Sequence, residues 1–257
     1  MTTRKSTGTS SQFMGWGHEI FARIWALWGA ALFISTMLIA DIFYLTCFLL
    51  KEPYKARWHR NISRVWMLFY LALIRCPLKV VGAAYFEKNK NYVVVCNHSS
   101  MMDIPITTPF MPRPNKTIGK TSFAYIPFVN IFYIIGCILV DRKSTKSRTD
   151  SYKKMKYVLA NGFDMVIYPE GTRNRTDDPL KPFYDGAFKL AVESGKAVIP
   201  TLLFNTKKVL PVDKPFYLYP YKMQMHFLPP VESAGISAKE LKEKVFRIMW
   251  DYYEANR

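Results

Sequence analysis

The chain has 257 residues, enough for one enzyme-sized α/β unit with an accessory segment and too few for two ordinary domains joined by a linker. Hydrophobic residues make up 50% and aromatics 16%, while Lys and Arg outnumber Asp and Glu by 36 to 19, for a formal net charge of +17. A chain both apolar and basic points to anionic lipid headgroups ahead of nucleic acid. Its four scattered cysteines, with no CxxC or His/Cys cluster, indicate neither a zinc site nor a disulfide framework.

Residues 1–12 are polar and rich in Ser and Thr, and read as a disordered tail. Residues 13–76 read as N-terminal membrane-associated helices. Between Arg23 and Lys51 the sole charge is Asp41, and the apolar run exceeds the roughly 20 residues needed to span a hydrocarbon core. It is too long for a signal-peptide core and no small-residue cleavage site follows it, so it is expected to stay in the mature protein. Asp41 would cost about 2.5–3.5 kcal/mol near the bilayer centre, which favours a shallow, tilted or hairpin placement over a clean crossing. The next stretch, 54–76, mixes Arg57, Arg60 and Arg64 with Trp58, Trp66, Phe69 and Tyr70, as an interfacial amphipathic helix does. Lys51, Lys55, Arg57, Arg60 and Arg64 outweigh Arg4, Lys5 and Arg23, which puts the downstream domain on the cytoplasmic face, at the inner membrane if the cell is bacterial.

From residue 77 to 257 short aliphatic runs alternate with amphipathic stretches. LKVVGAAYF, YVVVC, CILVD, FDMVIYP, AVIPTLLF and MQMHFLP read as strands, and 121–135, 145–161, 183–195 and 237–255 as helices. The expected fold class is α/β: a mixed, largely parallel sheet flanked by helices behind a membrane-anchoring helical segment. Functional residues then belong at the carboxyl ends of strands.

In NHSSMMD, His98 follows the strand YVVVC and Asp103 lies five residues on. Within one helix that spacing sets the two side chains about 140° apart. They meet if His98 sits in the strand-to-helix turn and Asp103 in the first helical turn, with Ser99 or Ser100 as the cap. Asp103 then holds one imidazole nitrogen and leaves the other as a base. No GxSxG elbow or cysteine nucleophile accompanies them, so the substrate must supply the hydroxyl. A second stretch, YPEGTR, places Glu170, Gly171, Thr172 and Arg173 after another strand, where Arg173 could grip a phosphate and Gly171 permits close backbone approach or a positive φ angle. Lys120 and Arg142 flank an apolar segment between the two motifs. Each piece alone also fits a plainer role: a helix-capping histidine, a surface turn, or solvated charges. No metal-ligand spacing is present, since His18-Glu19 has no second histidine three residues on.

Together these pieces resemble the glycerolipid acyltransferase superfamily, and most the 1-acylglycerol-3-phosphate O-acyltransferases, also called lysophosphatidic acid acyltransferases. The resemblance covers roughly residues 77–205 in four ordered blocks: NHSSMMD, the Lys120 to Arg142 segment, YPEGTR, and AVIP at 197–200. It implies that His98 is the general base, oriented by Asp103, for attack of a lysophospholipid hydroxyl on the thioester of acyl-CoA or acyl carrier protein. It also implies that Glu170, Gly171, Thr172, Arg173, Lys120 and Arg142 bind substrate, that the product is phosphatidic acid, and that neither cofactor, metal nor nucleic acid takes part. The expected partners are the lysophospholipid acceptor, the thioester donor and the lipid bilayer. Two other readings stay open: acyl transfer to a different acceptor (glycerol-3-phosphate, another lysophospholipid or a lyso-aminolipid), and a non-catalytic protein that binds anionic membranes. Chain-length preference and donor type are not assigned by the sequence.

Overall fold

The run Val93–Cys96 is buried at every position, as a strand in the middle of a two-faced sheet must be. The computed structural model describes residues 9–257 apart from Arg142, with backbone alone for 9–15. Seven strands form one sheet: β1 (Leu78–Val81), β2 (Val93–Cys96), β3 (Asn115–Lys120), β4 (Cys137–Val140), β5 (Asp164–Ile167), β6 (Val198–Phe204) and β7 (Met223–Phe227), in the order β1-β7-β6-β2-β5-β3-β4. Strands β6, β2, β5, β3 and β4 run parallel, whereas β7 is antiparallel to β6 and carries β1 with it. This is the mixed, largely parallel sheet expected from the alternating pattern.

Alternate residues of the central strands feed two cores. Val94, Cys96 and Val166 face a cluster with α1 (Thr9–Leu45), α2 (Tyr54–Leu73), α3 (Asp103–Phe110) and α4 (Val129–Gly136). Val93, Val95, Met165 and Ile167 face α5 (Thr145–Ala160), α6 (Gly186–Ser194) and α7 (Ala238–Asn256). Adjacent β2 and β5 send their chains off in opposite directions, β2 through α3 towards β3 and β5 through α6 towards β6. Such a divergence opens a crevice at the carboxyl ends of the two strands.

Helices α1 and α2 form an antiparallel pair, as their cross-bonds show. Trp25 Nε1 donates to Ile74 O (3.1 Å), Trp66 Nε1 to Thr36 Oγ1 (2.9 Å), and Tyr44 and Ser63 share a bond of 2.6 Å. The outer surface of the pair is apolar and exposed, with Ile24, Leu27, Ile42 and Phe43 on α1 and Val65, Leu68 and Phe69 on α2. Trp16–Leu49 is long and apolar enough to cross a membrane by length and composition. Asp41 does not join this surface: it is turned inward and 5% exposed.

Several boundaries differ from the sequence reading. Strand β3 was not expected, because four of the six residues of Asn-Lys-Thr-Ile-Gly-Lys are polar; inside the fold Thr117 Oγ1 donates to Val166 O and Asn115 Nδ2 to Thr108 O. The helix expected over 121–135 is split into a 3₁₀ turn at Thr121–Tyr125 and α4. Pro127, which cannot donate a helical hydrogen bond, lies at the break. The strand expected to run to Phe86 stops at Val81, before Gly82 in the left-handed region. Helix α1 begins at Thr9, inside the stretch expected as a tail, and residues 1–8 lie outside the described residues.

Candidate active site

His98 lies two residues beyond β2, and Asn97 fixes the strand end by bonding both the N–H and the C=O of Leu203 on β6. The next five residues turn into α3, whose first residue is Asp103. One Asp103 oxygen, Oδ2, accepts from His98 Nδ1 (2.8 Å), Ser99 N (2.7 Å) and Ser100 N (2.8 Å). Asp103 is fully buried, whereas the His98 side chain keeps 13% of its surface exposed. With Nδ1 donating to the carboxylate, Nε2 carries the lone pair and has no partner among the described residues. The expected serine cap is therefore inverted. Neither serine hydroxyl caps α3; the aspartate carboxylate instead gathers the loop N–H groups, and Ser100 Oγ ties the turn to Leu210 O (2.7 Å).

The YPEGTR loop grips the same turn from the β5 side. Glu170 Oε1 accepts from His98 N (2.7 Å), Oε2 accepts from Lys181 N (3.1 Å), and Asn174 N donates to His98 O (2.6 Å). Glu170 is 1% exposed and both its oxygens are taken by backbone N–H groups, so it holds the backbone of the histidine. Tyr168 adds a third hold, its ring 4.6 Å from the imidazole centroid and its hydroxyl on Thr107 Oγ1 (2.9 Å) and Asp103 O (3.1 Å). Sequence reasoning missed Tyr168 and Asn174, although the first opens the YPEGTR motif and the second directly follows it.

Burial lifts the Glu170 carboxyl from its ordinary 4.5 to about 7, against the pull of the two backbone N–H groups. Between those values the folded chain keeps a proton that the unfolded chain has released, so this group's contribution to stability falls as pH rises through that window. Glu170→Gln has nothing to titrate and is expected to flatten that slope, read from urea midpoints between about pH 5 and about pH 8. An unchanged slope would exclude Glu170 as its source.

Gly171 has φ +71°, and a Cβ there would lie 2.8 Å from the Tyr184 ring. The positive φ is one of the two uses expected of this glycine, and it forms the sharp turn under Tyr184. Tyr184 is exposed and can swing aside, so the left-handed backbone sets the main penalty of Gly171→Ala, about 1–2 kcal/mol by denaturant titration. Adding Tyr184→Ala should not recover it.

Thr172 is exposed, and its hydroxyl accepts from Lys181 Nζ (2.6 Å). Arg173, next to the residue that bonds His98 O, is half-buried and has no hydrogen bond or ion pair among the described residues. A guanidinium so placed beside the His98 turn is available to an anion. Lys120 is exposed at the end of β3, level with Asn97 by strand register and two strands away, about 10 Å. Arg142 lies outside the described residues.

An apolar cavity of about 480 Å³ extends inward from this turn. Met101, Met102 and Pro105 line it on the catalytic side, and Phe33, Trp66, Tyr70 and Phe132 line it among the helices. An imidazole held by a buried carboxylate, a guanidinium without a partner among the described residues and an apolar cavity thus gather around the turn from β2 into α3. Such an arrangement suits activation of an amphiphile's hydroxyl, the chemistry that acyl transfer to a lipid requires.

The comparisons agree. The family model described as Acyltransferase matches residues 77–203. The 1-acyl-sn-glycerol-3-phosphate acyltransferase of Borreliella burgdorferi is 31% identical over 67% of this chain and 68% of its own length. The enzyme of that name from Escherichia coli is 26% identical over 61% and 63%. The fold matches the crystal structure of the 1-acyl-sn-glycerophosphate acyltransferase PlsC from Thermotoga maritima with a TM-score of 0.76, at 21% identity, over 92% of this chain and 95% of that one. This chain belongs to the 1-acyl-sn-glycerol-3-phosphate acyltransferase family.

Proposed function

We propose that this chain transfers a fatty acyl group from a thioester to the sn-2 hydroxyl of 1-acylglycerol-3-phosphate, forming phosphatidic acid for phospholipid synthesis. The single observation that carries the reading is the His98 Nδ1–Asp103 bond, which leaves Nε2 without a partner among the described residues, in the turn whose Met101 and Met102 line the cavity. His98 Nε2 takes the hydroxyl proton as the oxygen attacks the thioester carbonyl. Asp103 stabilises the imidazolium that results, the C–S bond breaks as the tetrahedral intermediate collapses, and the proton passes to the departing thiolate. No acyl-enzyme forms, because the attacking oxygen belongs to the acceptor.

Residues 77–257 form the catalytic unit and the helices before it the membrane-associated part. With the apolar outer face of α1 and α2 in one leaflet, the cavity lies where a lipid chain can enter from the hydrocarbon. The basic start of α2 keeps the catalytic unit on the cytoplasmic side. Arg173 binds the acceptor phosphate. Arg173→Ala is therefore expected to raise KM for lysophosphatidic acid by about 10–100-fold, the worth of one charged hydrogen-bonding partner, with far less effect on an uncharged monoacylglycerol. Steady-state kinetics with both acceptors checks this, and equal losses would remove Arg173 from phosphate binding. The activity itself is tested by incubating purified protein with lysophosphatidic acid and either donor, following thiol release and product mass.

A further inference from the structure

Helix α5 buries Ser151, Met155, Val158 and Leu159 and turns a basic face outward. Lys143, just ahead of it, and Lys146, Arg148, Lys153 and Lys154 are exposed, and among the described residues none of them has an acidic side-chain partner. Asp150 is the one acid among them, while Lys156 is taken up by Glu193 at 2.5 Å. At 100° per residue Lys146 and Lys153 point within about 20° of one another, with Lys154 alongside.

Where this face lies decides what it can meet. Helix α5 packs on the sheet face of Val93 and Val95, whereas α1 and α2, apart from Ala56, pack on the face of Val94 and Cys96. The sheet thus stands between the basic helix and the apolar surface that enters the bilayer. Lipid headgroups meet the other side of the molecule, and α5 faces water. Its first turn follows β4, whose carboxyl end is at the same edge as His98, three strand spacings or about 14 Å from β2. The positive end of the helix dipole points to that edge too. The cations from Lys146 to Lys154 are strung along about 12 Å of convex helix. They do not converge on a point as a clamp on the phosphates of a nucleotide donor would, and lysines without a paired arginine fork suit an extended acidic surface.

We infer that the outward face of α5 is the docking surface for an acidic carrier protein that brings the acyl thioester on a flexible arm, which reaches His98 across the ends of β3 and β5. This rests on the acyl-transfer reading above and names the donor for it. The test uses the full chain in lipid nanodiscs, as wild type and as Lys146→Glu/Lys153→Glu/Lys154→Glu. Binding of fluorescently labelled acyl carrier protein is read by anisotropy, and kinetics are read with acyl carrier protein and with acyl-CoA.

The expected result is salt-sensitive binding by wild type. In the variant, KM for the carrier-bound donor rises at least about tenfold with kcat unchanged, while acyl-CoA kinetics and attachment to phosphatidylglycerol vesicles stay as in wild type. The proposal is overturned if wild type does not bind the carrier, if the variant loses both donors equally, or if it loses vesicle attachment instead. Carrier binding that is lost in the variant, in a wild type that transfers no acyl group, would support the docking surface and count against the acyl-transfer reading alone.

Discussion

Asp103→Asn is expected to lower kcat by about 10²–10⁴ while leaving the fold and both KM values nearly unchanged. The reason lies in how the three donors converge on one oxygen. His98 Nδ1, Ser99 N and Ser100 N all reach Oδ2, and Oδ1 is buried without a hydrogen-bond partner. An asparagine can place its carbonyl oxygen at the Oδ2 position and its amide nitrogen where Oδ1 lay, so the turn keeps its shape. What it cannot supply is the negative charge that stabilises the imidazolium once Nε2 has taken the proton. Steady-state kinetics beside far-ultraviolet circular dichroism separate the two. A variant within about tenfold of wild-type kcat would mean that the carboxylate charge does no more than shape the loop.

His98→Ala removes the base itself, and turnover is expected to fall at least as far, by about 10²–10⁴ or more. The turn should survive, because Asp103 keeps the two serine N–H groups, and the backbone of residue 98 keeps Glu170 and Asn174. Lysophosphatidic acid binding through Arg173 should persist as well, so the loss belongs in kcat, with little change in acceptor KM. A deficit confined to KM would assign His98 to binding instead.

Much of this site is legible in the sequence because its parts are local. The buried run Val93–Cys96, the five-residue step from His98 to Asp103 and the glycine-containing turn after β5 each carry their own signal. What was not legible depends on contacts between distant segments. Nothing local to YPEGTR puts the two oxygens of Glu170 on His98 N and Lys181 N. The cap at α3 runs the other way because the carboxylate takes the N–H groups of Ser99 and Ser100, while Ser100 Oγ takes that of Met102, ahead of the helix. Strand β3 hides behind polar residues that bond inside the sheet, and the cavity draws on four helices and the loops around them, which no single window reveals. Asp41 reads as a charge against the bilayer, yet the rotation of α1 turns it inward.

The most direct test is a single-turnover measurement of thiol release by wild type in nanodiscs, with thioester alone and then with thioester and lysophosphatidic acid. Direct attack by an acceptor activated at His98 predicts no thiol without acceptor, and thiol equal to phosphatidic acid once acceptor is added. A burst of thiol from the thioester alone, equal in amount to enzyme, would reveal a nucleophile of the protein's own and contradict that chemistry.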